Sequence, residues 1–120
     1  MSENPVPTTL IVDAITMELP PGTLKPTSLT GQMESLLTLW TAADGKSTLG
    51  IWECEPGTFT AYRDGYDETA VIVSGRATVT GDDGVVEEVG LGSILATPNQ
   101  WKGTWVVHET VRKIYNIMYF

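Results

Sequence analysis

The sequence is poor in the residues that most often carry cross-links or chemistry. Its 120 residues include one cysteine, Cys54, and one histidine, His108. A single cysteine excludes an internal disulfide. A lone thiol on a short strand is more typical of a small buried side chain than of a nucleophile, because a nucleophilic thiol needs a nearby base. A hydrophobic core must therefore hold the chain together, and its length is sufficient for one.

Positive charge and long apolar runs are also scarce. Seven Lys and Arg residues stand against 15 Asp and Glu residues, so the formal net charge is −8. This charge repels phosphate backbones and anionic lipid surfaces, so we expect neither nucleic acid nor a membrane as a partner. The longest aliphatic run covers only residues 70–73, and no basic stretch followed by an apolar one opens the sequence. A cytoplasmic protein is expected.

The sequence predicts one domain at residues 10–120, preceded by an extended arm at residues 1–9. Two prolines exclude a helix from the arm, which is a candidate for packing on another subunit. Apolar residues at both ends of the chain, 10–12 and 117–120, favour a homodimer, because a monomer would place polar residues there.

Short apolar segments separated by turns at intervals of about 8–12 residues dominate the rest of the sequence. Asp44-Gly45 and residues 81–84 are typical hairpin turns. Gly75 is predicted to reverse the chain after a strand at residues 69–74 that is buried on both faces. We expect about nine or ten short strands and no long helix, which indicates an all-β sandwich or barrel.

Three further segments complete this prediction. Residues 10–19 fit either a short strand or a single helical turn, closed by two prolines and a glycine. Residues 101–107 alternate large and small side chains, and residues 110–118 form the last predicted strand.

The stretch at residues 57–75 is the most informative for function. Its first half mixes polar and aromatic side chains, which is typical of a strand that lines a pocket, and its second half begins at Glu68.

Five segments of the sequence resemble, in the same order, the small single-domain cupins. They are WECEPG (52–57), DETAVIVSGRATVT (67–80), GLGSILATP (90–98), GTW (103–105) and ETVRKIY (109–115). Within the cupins, the chain resembles the cupin domain of ureidoglycine aminohydrolase. The resemblance implies a cupin-type jelly-roll barrel of antiparallel strands.

The resemblance also implies a position for a divalent metal, which cupins typically bind with three histidines and one glutamate. Glu68 matches the glutamate. The histidine positions hold Tyr62 and Asp64, or Ala61 and Arg63, depending on the spacing, and Gly103. His108 lies an odd number of positions after Gly103 and should point to the opposite face, as a surface or structural histidine. The usual metal site thus lacks its histidines, and the sequence leaves the cofactor unknown.

An acidic, aromatic barrel mouth is predicted in place of the metal site. The side chains expected to line it are Tyr62, Asp64, Glu68, Trp101 and Trp105. Gly103 should leave a space between the two indoles, because alternate residues of a strand share a face. Such a pocket would attract a cation or an amine. Trp105 and Trp52 fit a packed core equally well.

Glu68 and Asp64 are the candidate catalytic acid and base. A carboxyl group in an apolar barrel can titrate near neutrality. The alternatives for Glu68 are a solvent-facing position or an ion pair with Arg63 or Arg76. The pair Arg112-Lys113 is bracketed by apolar residues, which is typical of edge protection or ion pairing rather than catalysis.

Three classes of function follow from these observations. The first is a metal-poor enzyme acting on a small nitrogenous or polar metabolite, and the second is a non-catalytic module that binds a small ligand. The third is a structural homodimer whose barrel is filled by its own side chains. The missing histidines and the single barrel argue against a complete aminohydrolase.

Overall fold

The fold comes from a computed structural model that describes residues 8–120. Most of the predicted arm, residues 1–7, lies outside this range, and Thr8 and Thr9 belong to no strand. The strands are β1 (Thr23–Leu24), β2 (Met33–Thr41), β3 (Ser47–Cys54), β4 (Gly57–Tyr62), β5 (Tyr66–Gly81), β6 (Val86–Val89), β7 (Ile94–Thr97) and β8 (Lys102–Tyr119). The predicted all-β class is confirmed. No helix within residues 8–120 is long and apolar enough to cross a membrane.

The two longest strands, β5 and β8, form the centre of the sheet. The sheet order is β1-β2-β3-β8-β5-β6, and β4 and β7 pair with β8 and β5, respectively. All pairs are antiparallel. One edge of β8 pairs with β4 in its first half and with β3 in its second half, while the other edge follows β5. Both halves of the barrel are therefore built on the same central pair.

The predicted reversal at Gly75 is wrong, because β5 continues through this residue. Gly75 has φ 82°, and the register with β8 shifts between Ser74 and Arg76. A bulge of this kind inserts an unpaired residue and bends a strand without ending it. The segments predicted at residues 101–107 and 110–118 are likewise one strand, β8, so the described residues form eight strands rather than nine or ten.

The first half of β5 also differs from prediction, because its two faces are not equally buried. Ala70 and Ile72 are buried, whereas Thr69 is exposed and Val71 and Val73 are only partly buried. Alternate residues point to opposite faces of a strand, so one face of β5 lines the barrel interior and the other lies on its outside.

The predicted hairpin turns are confirmed. Asp44-Gly45 joins β2 to β3, and residues 81–84 join β5 to β6. Of the two alternatives for residues 10–19, the structure shows the single turn. Asp13 closes it by accepting the Met17 backbone N–H on its carbonyl at 3.0 Å.

An aromatic cluster fills one end of the barrel interior. The rings of Trp52, Phe59 and Trp105 pack against one another with centroid separations of 5.7 to 5.8 Å. Cys54 lies in the same core, where burial raises the pKa of its thiol to about 11. The thiol therefore stays protonated near neutral pH, as expected of a packed side chain.

Gly75 provides a test of the bulge. A Cβ atom at this position would contact the backbone carbonyl oxygen of Thr110 and lie 2.6 Å from Val111 Cα. Gly65 also has a positive φ, 89°, but has nothing within 4 Å of its ideal Cβ position. We expect Gly75→Ala to lower the free energy of unfolding by about 3 kcal/mol and Gly65→Ala by about 1 kcal/mol.

Urea denaturation at 25 °C measures both losses. Because the two variants share the cost of an unfavourable φ, the difference between them isolates the steric contact inside the bulge. Equal losses would contradict the close approach of β5 and β8 at Gly75.

Candidate functional site

Three charged side chains meet at the centre of the barrel. Glu68 projects inward from β5 and Lys113 from β8, while Arg63 follows the end of β4. Each of the three residues is at most 8% exposed. Alternation along β8 places Lys113 on the same inward face as Val111 and Tyr115, which are also buried. The strand pattern therefore brings ionisable groups into the core.

One carboxylate oxygen holds this cluster together. Glu68 Oε2 accepts hydrogen bonds from Lys113 Nζ at 2.7 Å and from Arg63 Nη2 at 3.2 Å. Arg63 Nε also donates to Thr97 Oγ1 at 3.0 Å, which connects the cluster to β7. The alternative in which Glu68 pairs with Arg63 is therefore observed, with Lys113 as a second partner.

These contacts change the pKa of the glutamate. Burial alone would raise the pKa of Glu68, but the charges of Lys113 and Arg63 together lower it below its ordinary value of 4.5. This is the opposite of the direction expected for an acid that titrates near neutrality. Burial also lowers the pKa of Lys113, an effect that the charge of Glu68 opposes. Glu68 is therefore ionised at neutral pH.

The aromatic core surrounds these charges. Lys113 Nζ lies 4.5 Å from the Trp52 ring centroid and 5.1 Å from the Trp105 centroid, and Arg63 Cζ lies 5.7 Å from the Trp101 centroid. Trp105 Nε1 is buried and has no hydrogen-bond partner among the described residues. The Trp105 ring faces the Lys113 ammonium. Trp105 itself is 1% exposed.

A second ion pair lies between β1 and β2. Lys25, just after β1, contacts Glu34 at 3.0 Å, and Glu34 also accepts the Trp52 Nε1–H at 2.8 Å. The Lys25 ammonium lies 4.5 Å from the Phe59 ring centroid. Together the two clusters contain three cations and two carboxylates, so the barrel interior is not acidic as predicted.

The inward placement predicted for Tyr62 and Asp64 is wrong. Tyr62 is 42% exposed and its hydroxyl donates to Gln100 Oε1 at 2.9 Å, while Asp64 is also exposed. The cause is the register of β4, in which Ala61 lies opposite Gly103 and shares its inward face. Arg63, two residues after Ala61, takes the position beside Glu68 that was predicted for Asp64.

The face predicted for Trp101, Gly103 and Trp105 is confirmed, but the space between the indoles is not. Gly103 and Trp105 are buried on the inward face, and Trp101 packs against the same core. A Cβ atom at Gly103 would lie 2.5 Å from Trp101 Cζ2. The Trp101 ring therefore fills the gap that the glycine leaves.

The residues around Glu68 do not fit a divalent metal. Its carboxylate faces an ammonium and a guanidinium group, which would repel a metal cation. Within residues 8–120, no group of three or more His, Cys, Asp or Glu side chains could hold a metal ion. His108 is exposed, as predicted, and its Nε2 lies 2.7 Å from Thr78 Oγ1.

A separate cavity of about 500 Å³ lies beside β6 and β7. Its walls include Trp101, Thr97 and Val79, and the charged residues that line it are Asp83, Glu87 and Glu88. Glu87 lies opposite the buried Val79 in the β5–β6 register, so it is on the inward face of β6. The sequence signal for this position is the alternation of Glu87, which is exposed, with the buried Val89.

The sequence pattern of the EutQ-like cupin domain family matches residues 41–115. No curated protein matches the sequence. Among solved structures, a DUF861 family protein from Thermotoga maritima is 35% identical, with a TM-score of 0.54 over 57% of this chain and 76% of that chain.

Two further structures share the fold at lower identity. The EutQ protein of Clostridium difficile is 21% identical, with a TM-score of 0.64 over 73% of this chain and 69% of that chain. A putative ethanolamine utilization protein from Salmonella typhimurium is also 21% identical, with a TM-score of 0.62 over 72% and 69%. With the antiparallel sheet described above, these likenesses confirm the predicted cupin-type jelly-roll fold.

Glu68→Gln tests the central ion cluster. Loss of the carboxylate leaves two buried cations without a counter-charge, so we expect the free energy of unfolding at pH 7 to fall by about 3–5 kcal/mol. Because the pKa of Glu68 is lowered in the folded state, its stabilisation is present above pH 4.5 and is lost as the pH falls through the folded-state pKa. The variant should therefore lose less stability than the parent in acid.

Urea titrations at pH 7, 5, 4 and 3 measure these differences. Asp64→Asn is the matched control, since it removes an exposed carboxylate four residues away and should leave the pH profile unchanged. A Glu68→Gln protein as stable as the parent at pH 7 would contradict the pairing.

Proposed function

Because the chain belongs to the EutQ-like cupin domain family, we propose that it uses its barrel as a scaffold for binding a small, amine-bearing metabolite. The ligand enters the cavity beside β6 and β7 rather than the barrel centre. The protein acts in the cytoplasm, in keeping with the composition of its sequence.

The charge of the cavity lining carries this proposal. Its charged lining residues, Asp83, Glu87 and Glu88, are all acidic, and Trp101 adds an aromatic wall. Glu87 faces the cavity, whereas the Glu88 carboxylate accepts a hydrogen bond from Thr78 Oγ1 at 2.8 Å on the opposite face of β6. Carboxylates and an indole together attract a small organic cation. A volume of about 500 Å³ is within the range of small-molecule sites. The acidic, aromatic pocket predicted from the sequence thus has a counterpart that shares Trp101 and uses other carboxylates.

Binding is better supported than turnover. A general acid or base works best when its pKa is near the operating pH, and the pKa of Glu68 is shifted the other way. Asp64, the second candidate, is exposed to water and lies outside the cavity lining. The proposal therefore assigns ligand contact to Trp101 and Glu87, and assigns Glu68 and Trp105 to the packed barrel centre.

The name of a structural neighbour supports an amine as the ligand. One structural neighbour is named for ethanolamine utilization, and ethanolamine carries a primary ammonium group. Ethanolamine is therefore the first probe for the cavity.

A second copy of the chain is the partner that we propose for the outer face of the sheet. A groove of about 260 Å³ is lined by Leu49, Thr69, Val71, Ile94, Ile114 and Asn116 of this face, together with the inward-facing Ala70 and Tyr115. None of these residues is charged, and Ile94 is 83% exposed. Each chain carries a formal charge of −8, so two chains repel each other least when they meet at an uncharged face such as this one.

Calorimetric titration with ethanolamine tests the cavity. We expect the parent protein to bind ethanolamine measurably. It should not bind ethylene glycol, which lacks the ammonium group. Trp101→Ala should abolish binding by removing the aromatic wall, and Glu87→Gln should weaken it about tenfold, the equivalent of 1.4 kcal/mol. Glu109→Gln, which changes an exposed carboxylate elsewhere, should bind like the parent. If ethanolamine, methylamine and putrescine all show no binding to the parent protein, the proposal is wrong.

Sedimentation velocity at micromolar concentration tests the homodimer. Ile94→Asp places a charge in the uncharged groove and should convert the dimer to a monomer. Leu91→Asp is the control, because Leu91 is 80% exposed and does not line the groove. A monomeric parent, or a dimer that persists in Ile94→Asp, would rule out this interface.

A further inference from the structure

The ammonium group of Lys113 is held like a bound ligand. Its Nζ donates to Glu68 Oε2 at 2.7 Å and lies over the faces of Trp52 and Trp105, 4.5 and 5.1 Å from their centroids. One carboxylate and two indole faces are the groups that recognise organic ammonium ions in proteins. The residue is 6% exposed, so water does not replace any of these contacts.

The walls around this ammonium are built on paired strands rather than on loops. In the register of the sheet, Lys113 lies between Trp52 of β3 and Ile72 of β5, and all three face inward. Trp105 comes from β8 itself and lies before the irregular part of the β5–β8 register, whereas Lys113 lies after it. Positions set by strand pairing keep their geometry when one side chain is shortened. The surroundings of the ammonium should therefore survive its removal.

We propose that the barrel centre is a binding site for a primary alkylammonium ion, which Lys113 occupies as a ligand tethered to the chain. The tethered ammonium keeps free amines out of the barrel centre. This inference rests on the barrel centre alone and does not depend on a ligand in the cavity beside β6 and β7.

The neighbouring Arg63 determines which cations the vacated site accepts. Arg63 also contacts Glu68 Oε2, at 3.2 Å, so the carboxylate keeps one positive partner after Lys113 is shortened. A divalent metal would meet the guanidinium charge without the imidazole ligands that transition metals prefer. An alkylammonium ion gains the two aromatic faces and the apolar space of the lysine stem. The site therefore selects organic ammonium ions over metals.

Lys113→Ala with added n-propylammonium tests the proposal. The substitution removes Cγ, Cδ, Cε and Nζ, and n-propylammonium supplies the same four heavy atoms. We expect the variant to unfold at a lower temperature than the parent. The ion should raise its Tm by about 5 °C at ten times the Kd. n-Propanol, Mn²⁺ and Zn²⁺ should not raise it. The rise with n-propylammonium should exceed the rise that the parent and Lys46→Ala, which changes an exposed lysine, show through binding in the cavity beside β6 and β7.

Two further variants keep the test decisive. Lys113→Met fills the stem space without a charge and should respond to n-propylammonium no more than the parent does. Lys113→Ala combined with Glu68→Gln should likewise lose the additional response. If Lys113→Ala does not fold alone, its refolding yield in n-propylammonium is compared with that in n-propanol. A Tm or yield that does not rise with n-propylammonium, or that rises equally with n-propanol, would overturn the proposal.

Discussion

The structure depends on a single ionised carboxylate inside an aromatic barrel. Glu68 neutralises Lys113 and shares the same oxygen with Arg63, and each unpaired charge in this interior would cost several kcal/mol. The cluster therefore requires all three groups together. It joins β5 to β8 directly, and it reaches β7 through the bond from Arg63 to Thr97. Strands β5, β7 and β8 are thus connected through hydrogen bonds that meet at Glu68 Oε2 and Arg63.

This constraint also separates the barrel centre from the cavity beside β6 and β7. In the centre, a metal or a free substrate would have to displace a paired cation. The cavity has room for a ligand, yet two of its walls, Thr97 and Trp101, contact Arg63. Thr97 and Trp101 therefore contact the ion cluster on one side and line the cavity on the other.

Features that depend on local pattern could be predicted from the sequence, and those that depend on pairing could not. Alternation placed Trp101 and Trp105 on one face, and Asp44-Gly45 marked a hairpin, because both signals lie within a few residues. Gly75 was assigned to a turn because a turn and a bulge both use a positive φ, and only pairing with β8 distinguishes them. The burial of Lys113 depends on Glu68, 45 residues away, which no local pattern reveals.

The distribution of charge explains why an acidic site was predicted in the wrong part of the molecule. Lys25, Arg63 and Lys113 lie largely inside, where they outnumber their two carboxylate partners. The outside of the molecule therefore carries more negative charge than the formal −8. Glu87 and its acidic neighbours line the cavity at the border between these regions. A cation approaching the protein is attracted by the whole surface, and beside β6 and β7 it meets acidic side chains together with the indole of Trp101.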